Sequence, residues 1–438
     1  MSISHALQDE PASVDLSPSG LEPLFSVIGQ AVDDGATDVH IDAAADQAAL
    51  RFRVDGVIRA KERLSSAQAR RLLNQIRVAA RFPMEAAFVP LEGQFRWCNE
   101  KTARDVRVTV VPTFGRQESA HLRLLLPLEH WRDTSQLGLR PRDLERIESV
   151  VRKPHGLALV AGPTGSGKTT TLYALAGLDN LRRKVCASIE DPVEFELPFV
   201  RQLEVNERRG LTMAEGLRTL LRTDADVLLI GEIRDAESAR TASQAALAGR
   251  LVLASIHGRD AAGAIQAMSY LCVPYPILGG ALRLVVAQGL VRKLCRACRR
   301  PWRPDDAQQR LFQQAGYAWP ETVFEPHGCA ECGHTGYAGR TGVFEVGVVD
   351  EDMGRWLTAG PHQHEVRARL LQQGMQPLTA DALQKATDGV TSLVEIVRFF
   401  ADFESAAAPY PLEAAQVGGN GAMERRAATA GLPGAAAP

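Results

Sequence analysis

Apolar positions recur along this chain with two periods, and the change between them divides it. Leu21 to Asp33 has the three-and-four spacing of a half-buried helix, and Thr37 to Asp42 then alternates as a strand does. Ala49 to Arg59 alternates apolar with basic residues around the pair Asp55-Gly56, which predicts a tight hairpin with arginines along one face. A helix is expected from Ser65 to Ala80, followed by strands over Asp105–Val111 and Ala120–Leu126. Together these elements predict an α+β domain over 21–131, joined by a linker at 132–141 to a second domain at 142–404. There the pattern changes to short, unbroken apolar runs at Leu157–Ala161, Val185–Ile189, Val227–Ile230 and Leu251–Ser255. Such runs suit strands buried on both faces, and their spacing leaves room for crossover helices in a mostly parallel sheet. A cysteine-bearing segment follows at 293–343 with a polar, Gln-rich insertion at 305–327, and helices are expected over 352–403. Residues 1–20 and 405–438, rich in polar residues or in Ala, Gly and Pro, read as tails without a core of their own.

Composition narrows the classes. The 438 residues leave room for two or three domains, and 50 Lys and Arg against 52 Asp and Glu give a net charge of −2, with no basic excess to favour nucleic acid. No apolar run reaches the roughly 18 residues of a membrane span, and the opening Met1-Ser2-Ile3-Ser4-His5 lacks a basic stretch followed by an apolar one. The expectation is a cytoplasmic protein that meets a membrane only through partners.

The chemistry begins at Gly162-Pro163-Thr164-Gly165-Ser166-Gly167-Lys168-Thr169, a G-x-x-x-x-G-K-[ST] loop between an apolar strand and a helix that carries Thr170. Glycines let backbone N–H groups approach an anion, the helix N-terminus adds partial positive charge, Lys168 can reach outer phosphates, and the Thr169 hydroxyl can ligate Mg²⁺. ATP and Mg²⁺ are the expected ligands. Two acidic clusters end neighbouring strands, Glu190-Asp191-Pro192-Val193-Glu194 and Gly231-Glu232-Ile233-Arg234-Asp235, where carboxylates can hold Mg²⁺ through water and orient an attacking water. No GTPase-like Asn-Lys-x-Asp occurs.

Of seven cysteines, Cys295, Cys298, Cys329 and Cys332 form two C-x-x-C pairs thirty residues apart. In a reducing compartment they read as thiolate ligands for a tetrahedral Zn²⁺ rather than as two disulfides, with four reduced, metal-free cysteines as the bland alternative. Cys98, Cys186 and Cys272 read as small apolar fillers.

Taken in order, Gly162 to Thr171, Ile189 to Glu194, Gly231 to Asp235, Leu251-Val252-Leu253-Ala254-Ser255-Ile256-His257 and the paired cysteines resemble the Walker A, Asp-box, Walker B, His-box and tetracysteine motifs of the GspE/PilB secretion ATPases. The resemblance covers roughly residues 21–400. It implies a PAS-like N-terminal domain followed by a RecA-like ATPase domain with ATP between them. It also implies a homo-hexamer that drives assembly of pilin or pseudopilin subunits through an inner-membrane platform protein, with a cytoplasmic adaptor as an optional partner. By matched position Glu194 would be the general base, Glu232 would help place Mg²⁺ or water, and His257 would sense the γ-phosphate. Arg218, Arg222 and Arg234 match arginines near the Walker B strand, while Arg51, Arg53, Arg107 and Arg123 are candidates from the N-terminal domain.

The chain departs from the family pattern in three places. Ala248-Gly249-Arg250 replaces the usual Thr-Gly-His, which implies altered coupling. Pro90-Leu91-Glu92-Gly93-Gln94 stands where relatives carry Pro-Gln-Asp-Gly-Arg. The chain also begins almost at the PAS-like domain, so recruitment is expected to use a surface other than a further N-terminal domain or to need no such adaptor. Three rival readings are a retraction motor, a nucleotide-binding regulatory subunit that does not hydrolyse ATP, and a DNA-translocating enzyme. Retraction motors generally lack the tetracysteine segment, the regulatory subunit would be indifferent to loss of Glu194, and the charge balance offers the translocase no support.

Overall fold

The computed structural model describes residues 20–43, 47–84, 89–125, 134–178, 181–314 and 316–405. Nearly all of both expected tails, the end of the first domain near Trp131 and the start of the linker at Arg132 lie outside these residues.

The N-terminal elements are α1 (Glu22–Asp33), β1 (Ala36–Ala43), β2 (Gln47–Val54), β3 (Val57–Ser65), α2 (Ser66–Ala79), β4 (Leu91–Cys98), β5 (Ala103–Thr113) and β6 (Gln117–Leu124). The strands form an antiparallel sheet in the order β3-β2-β1-β6-β5-β4. Leu24 and Ile28 of α1 and Leu72 and Ile76 of α2 bury its apolar face, made of Val39, Ile41, Leu50, Phe52, Val106, Val108 and Leu122. Because side chains alternate along a strand, Asp38, His40, Arg51, Arg53, Arg107, His121 and Arg123 fall on the opposite face. The β2–β3 turn has both central residues at positive φ, Asp55 at 51° and Gly56 at 81°, as a two-residue hairpin requires. One expectation needs correction. The two-residue turn pairs Val54 with Val57 and so Phe52 with Arg59, which takes Arg59 off the face that Arg51 and Arg53 share. Ser65 and Gln68 close a capping box that starts α2.

The second part comprises α3 (Pro141–Val151), β7 (Gly156–Ala161), α4 (Lys168–Ala176), β8 (Cys186–Glu190), β9 (Val200–Glu204), α5 (Met213–Leu220), β10 (Val227–Ile233), α6 (Ala236–Leu247), β11 (Leu251–Ile256), α7 (Ala261–Tyr270), α8 (Tyr275–Ala281) and β12 (Leu282–Leu294). It continues with β13 (Arg300–Trp302), α9 (Asp306–Gln314), β14 (Val323–Glu325), β15 (Tyr337–Val348), α10 (Glu351–Leu357), α11 (Gln363–Gln372), α12 (Leu378–Thr387) and α13 (Leu393–Ser405). The large sheet runs β15-β12-β7-β11-β10-β8-β9, parallel throughout except where β15 pairs antiparallel with β12. Helices cover both faces, which is why its central strands are apolar on both sides. In β7, Leu157, Leu159 and Ala161 face α6 and α7, while Ala158 and Val160 face α3 and α4.

The insertion at 305–327 carries more structure than its polar composition suggests. Phe312 of α9 and Val323 of β14 are buried among Leu378, Leu383, Leu393, Ile396 and Phe399, so two apolar anchors hold an otherwise hydrophilic segment. Parallel strands β7, β8, β10 and β11 all end on one edge of the sheet, and the loops that leave that edge carry the motifs.

Candidate active site

The loop after β7 is shaped by glycines. Gly165 and Gly167 have φ of 79° and 86°, and a Cβ on Gly162 would lie 2.5 Å from the backbone oxygen of Gln288. Helix α4 starts at Lys168, earlier than the apolar pattern alone marked, so Lys168, Thr169 and Thr170 occupy its first turn with Gly167 as the cap. Pro163 and Thr164 form the outer lip, and Ser166 is buried. Its buried hydroxyl has no partner among the described residues.

A small ionic cluster stands beside this loop. Lys168 Nζ donates to the carbonyls of Gly162 at 3.0 Å and Pro163 at 3.2 Å, and lies 3.4 Å from Glu232 Oε1. The same Glu232 oxygen is 3.1 Å from His257 Nε2, and its other oxygen accepts from Arg234 Nε at 2.6 Å. Arg234 extends the chain of charges to Asp191 at 3.3 Å. Burial pushes the Lys168 ammonium below its ordinary pKa, with Glu232 opposing the shift. Burial would raise the Glu232 carboxyl, but the Arg234 hydrogen bond and the charges of Lys168 and His257 outweigh it and hold it low. Burial also lowers His257, against the pull of Glu232. The cluster therefore presents an ammonium, an ionised carboxylate and a neutral imidazole at the mouth of a glycine loop, a donor and acceptor set that fits a triphosphate and its cation.

The other acidic motif divides. Glu190 is buried, accepting from Ser188 Oγ at 2.6 Å, from Gln202 Nε2 at 3.0 Å and from the Tyr173 hydroxyl, and so serves as an internal acceptor. Glu194 pairs with the N-terminal sheet instead, its Oε2 lying 3.6 Å from Arg107, which also donates to the Val193 carbonyl. The remaining N-terminal candidates are engaged on their own sheet. Arg51 binds Asp42 at 2.6 Å, and Asp38 holds Arg123 at 3.1 Å, His121 at 2.9 Å and Arg53 at 3.8 Å. Burial would raise the Asp38 carboxyl, but these hydrogen bonds and charges keep it well below the usual carboxylate range.

Of the Walker B arginines only Arg234 joins the ionic cluster among the described residues. Arg218, on α5, binds Glu215 at 2.7 Å and also Glu237, while Arg222 lies just beyond the end of α5. Sequence reasoning missed Gln288, a buried residue of β12 whose amide donates to the Ser166 carbonyl at 2.7 Å. No motif announces it, because it comes from a strand the apolar run at 282–294 leaves ambiguous with a buried helix.

The four cysteines of the tetracysteine segment converge, with all four sulfurs within 4.8 Å of one another. Cys295 and Cys329 are 3.8 Å apart, Cys329 and Cys332 3.8 Å, and Cys298 and Cys332 3.9 Å. Zn–S bonds of about 2.3 Å in a tetrahedron separate the sulfurs by about 3.8 Å, so the cluster could hold Zn²⁺. Backbone N–H groups of Gly328, Cys329 and Gly336 point at Cys298 and Cys332, as thiolate sulfurs require.

No helix among the described residues is long and apolar enough to cross a membrane. Residues 20–398 match the model of the family described as type II/IV secretion system protein. The chain is 38% identical over 374 residues to type II secretion system protein E of Aeromonas hydrophila, covering 85% of this chain and 74% of that protein. It is 33% identical over 395 residues to the type IV pilus assembly ATPase PilB of Thermus thermophilus, covering 90% of this chain and 44% of PilB. In fold it is similar to the ATPase DotB of Legionella pneumophila, with a TM-score of 0.63 at 19% identity over 91% of this chain and 98% of DotB. The chain thus belongs to the type II/IV secretion system protein family, and it is an ATPase.

Proposed function

We propose that this ATPase works as a cytoplasmic homo-hexamer that drives addition of pilin or pseudopilin subunits through an inner-membrane platform protein. On this reading 21–131 is a PAS-like domain, 142–404 a RecA-like domain and 132–141 the linker between them. The observation that carries the reading is Glu232, whose two oxygens join Lys168, His257 and Arg234 beside the phosphate loop.

The residues then divide the work. Backbone N–H groups of Gly162 to Gly167 and the first turn of α4 surround the phosphates, and Lys168 turns from its loop carbonyls toward the outer ones. Thr169 would ligate Mg²⁺, which when bound neutralises phosphate charge. Glu232, held ionised, would help place Mg²⁺ or water, and His257 would sense the γ-phosphate as an uncharged donor. Glu194 takes the proton of the attacking water as general base, and Arg107 holds its loop. Arg218 and Arg222 face outward, where they can serve a neighbouring protomer. Cys295, Cys298, Cys329 and Cys332 hold a structural Zn²⁺.

Hydrolysis by the purified chain across a protein concentration series tests the proposal. Specific activity should rise with concentration, and Lys168→Ala and Glu194→Gln should each lower turnover by about 100-fold or more, the scale of a lost general base or phosphate donor. A Glu194→Gln variant with unchanged turnover would remove that residue from the reaction, and concentration-independent activity would remove the ring.

A further inference from the structure

We infer that Gln288 is a positioning residue that fixes the orientation of the Ser166–Gly167 peptide, and through it the phosphate-binding N–H of Gly167. Gln288 is 1% exposed and its side-chain amide donates to the Ser166 carbonyl at 2.7 Å. The peptide unit is planar and trans, so its C=O and N–H point in opposite directions. A carbonyl held toward β12 therefore turns the Gly167 N–H away from β12, into the concavity where the loop receives an anion.

The loop needs such a restraint. Gly165 and Gly167 stand on either side of Ser166 at φ of 79° and 86°, and glycine crosses between positive and negative φ with little steric cost, so the peptide between them can turn over. Turned over, it would offer the phosphates a carbonyl in place of a donor. The contact is close on both sides. A Cβ on Gly167 would stand 3.3 Å from Gln288 Nε2, and one on Gly162 would stand 2.5 Å from the Gln288 backbone oxygen. The other side-chain atom, Oε1, is buried without a partner among the described residues, so nothing but the donation to Ser166 accounts for an amide there. Lys168 cannot substitute, since its ammonium takes the carbonyls of Gly162 and Pro163 and leaves that of Ser166 to Gln288.

The inference rests on the loop binding phosphate, and the experiment separates the two. ADP and inorganic pyrophosphate are titrated calorimetrically into the full chain, into Gln288→Met, which keeps length and apolar bulk without a donor, and into Gln288→Glu, which keeps shape. Lys168→Ala is the control. Both Gln288 variants should bind both ligands about 10-fold more weakly or worse, the effect of losing one N–H donor to a charged oxygen. Equal loss for pyrophosphate and ADP would place the effect at the phosphates, and an unchanged unfolding midpoint without ligand would exclude general loosening of the sheet. Binding within two-fold of the parent in whichever Gln288 variant folds overturns the inference. A Lys168→Ala variant that binds as the parent does overturns the phosphate reading instead.

Discussion

Helix α13 is fastened to β12 by a buried ion pair whose removal has a calculable cost. Glu395 is 0% exposed, binds Arg292 through Nε at 2.9 Å and Nη2 at 2.7 Å, and accepts the Arg292 backbone N–H at 3.0 Å. Arg398 supplies two further bonds at 2.9 and 2.6 Å. Glu395→Gln leaves Arg292, only 17% exposed, beside a neutral amide, whereas Arg398, 41% exposed, can turn into water. Breaking a buried pair while its partner stays costs about 3–5 kcal/mol, and the partial exposure of Arg398 puts this case near ~3 kcal/mol. Arg292→Met should cost less, about 1–2 kcal/mol, because Glu395 keeps Arg398 and a backbone donor. Burial would raise the Glu395 carboxyl, but the Arg398 and Arg292 hydrogen bonds hold it below its ordinary value. Its folded pKa is thus below its unfolded one, so its contribution is complete above about pH 4.3 and fades as pH falls through the folded value. Urea unfolding of parent and variants at pH 7.5, 5.5 and 3.5 reads all three effects. A Glu395→Gln loss under 1 kcal/mol, a larger loss for Arg292→Met, or a parent-to-variant gap that widens at pH 3.5 would refute the reasoning.

Two other outcomes follow from the same geometry. Metal analysis of the purified chain should find about one zinc per chain, and Cys298→Ser with Cys332→Ser should abolish it; a metal-free parent or a fully loaded double variant would sink the tetracysteine assignment. Arg250→Met should lower stability by about 1–2 kcal/mol while leaving KM for ATP within two-fold, because Arg250 donates to the Leu221 carbonyl at 2.9 Å and takes no part in the ionic cluster. A tenfold rise in KM would overturn that placement.

The chain announced what short-range pattern can encode. Gly162 to Thr169 carries its chemistry within eight residues, and the C-x-x-C spacing places sulfurs together whatever path the intervening chain takes. The unbroken runs at 157–161, 227–230 and 251–255 became central strands β7, β10 and β11 because only a sheet covered on both faces accommodates them. Arg250 is instructive in another way. It stands where the family usually carries a second histidine, yet it precedes β11 while His257 follows it. Seven positions of extended chain at ~3.3 Å each, about 23 Å, separate the two. Motif adjacency in sequence thus becomes opposite edges of a sheet, and the substitution acts on the loop after α5. Less legible was what depends on pairing between distant segments. The strand β12, which brings Gln288 under the loop, and β15, which closes the sheet, have no local signature that distinguishes them from buried helix.

The arginines show why local pattern stops there. Seven were candidates for the nucleotide site, and nothing in their spacing ranks them, since each alternates with apolar residues or follows an acidic motif in the same manner. Their carboxylate neighbours do the ranking. Register sets Asp38 between Arg53 and Arg123 and brings Arg51 across from His40 within reach of Asp42, so three cations are neutralised on their own sheet. Arg218 meets Glu215 and Glu237 on the surface of α5 and α6. Arg107 has no acid on its own sheet among these contacts and turns to Glu194 and Val193, while Arg234 reaches Glu232 and Asp191. A guanidinium does not deprotonate, so its availability is decided by competition among carboxylates rather than by pKa. That competition is settled by strand register, which is why Arg107 meets Glu194 and Arg234 meets Glu232 and Asp191, and why the identity of those two had to wait for the fold.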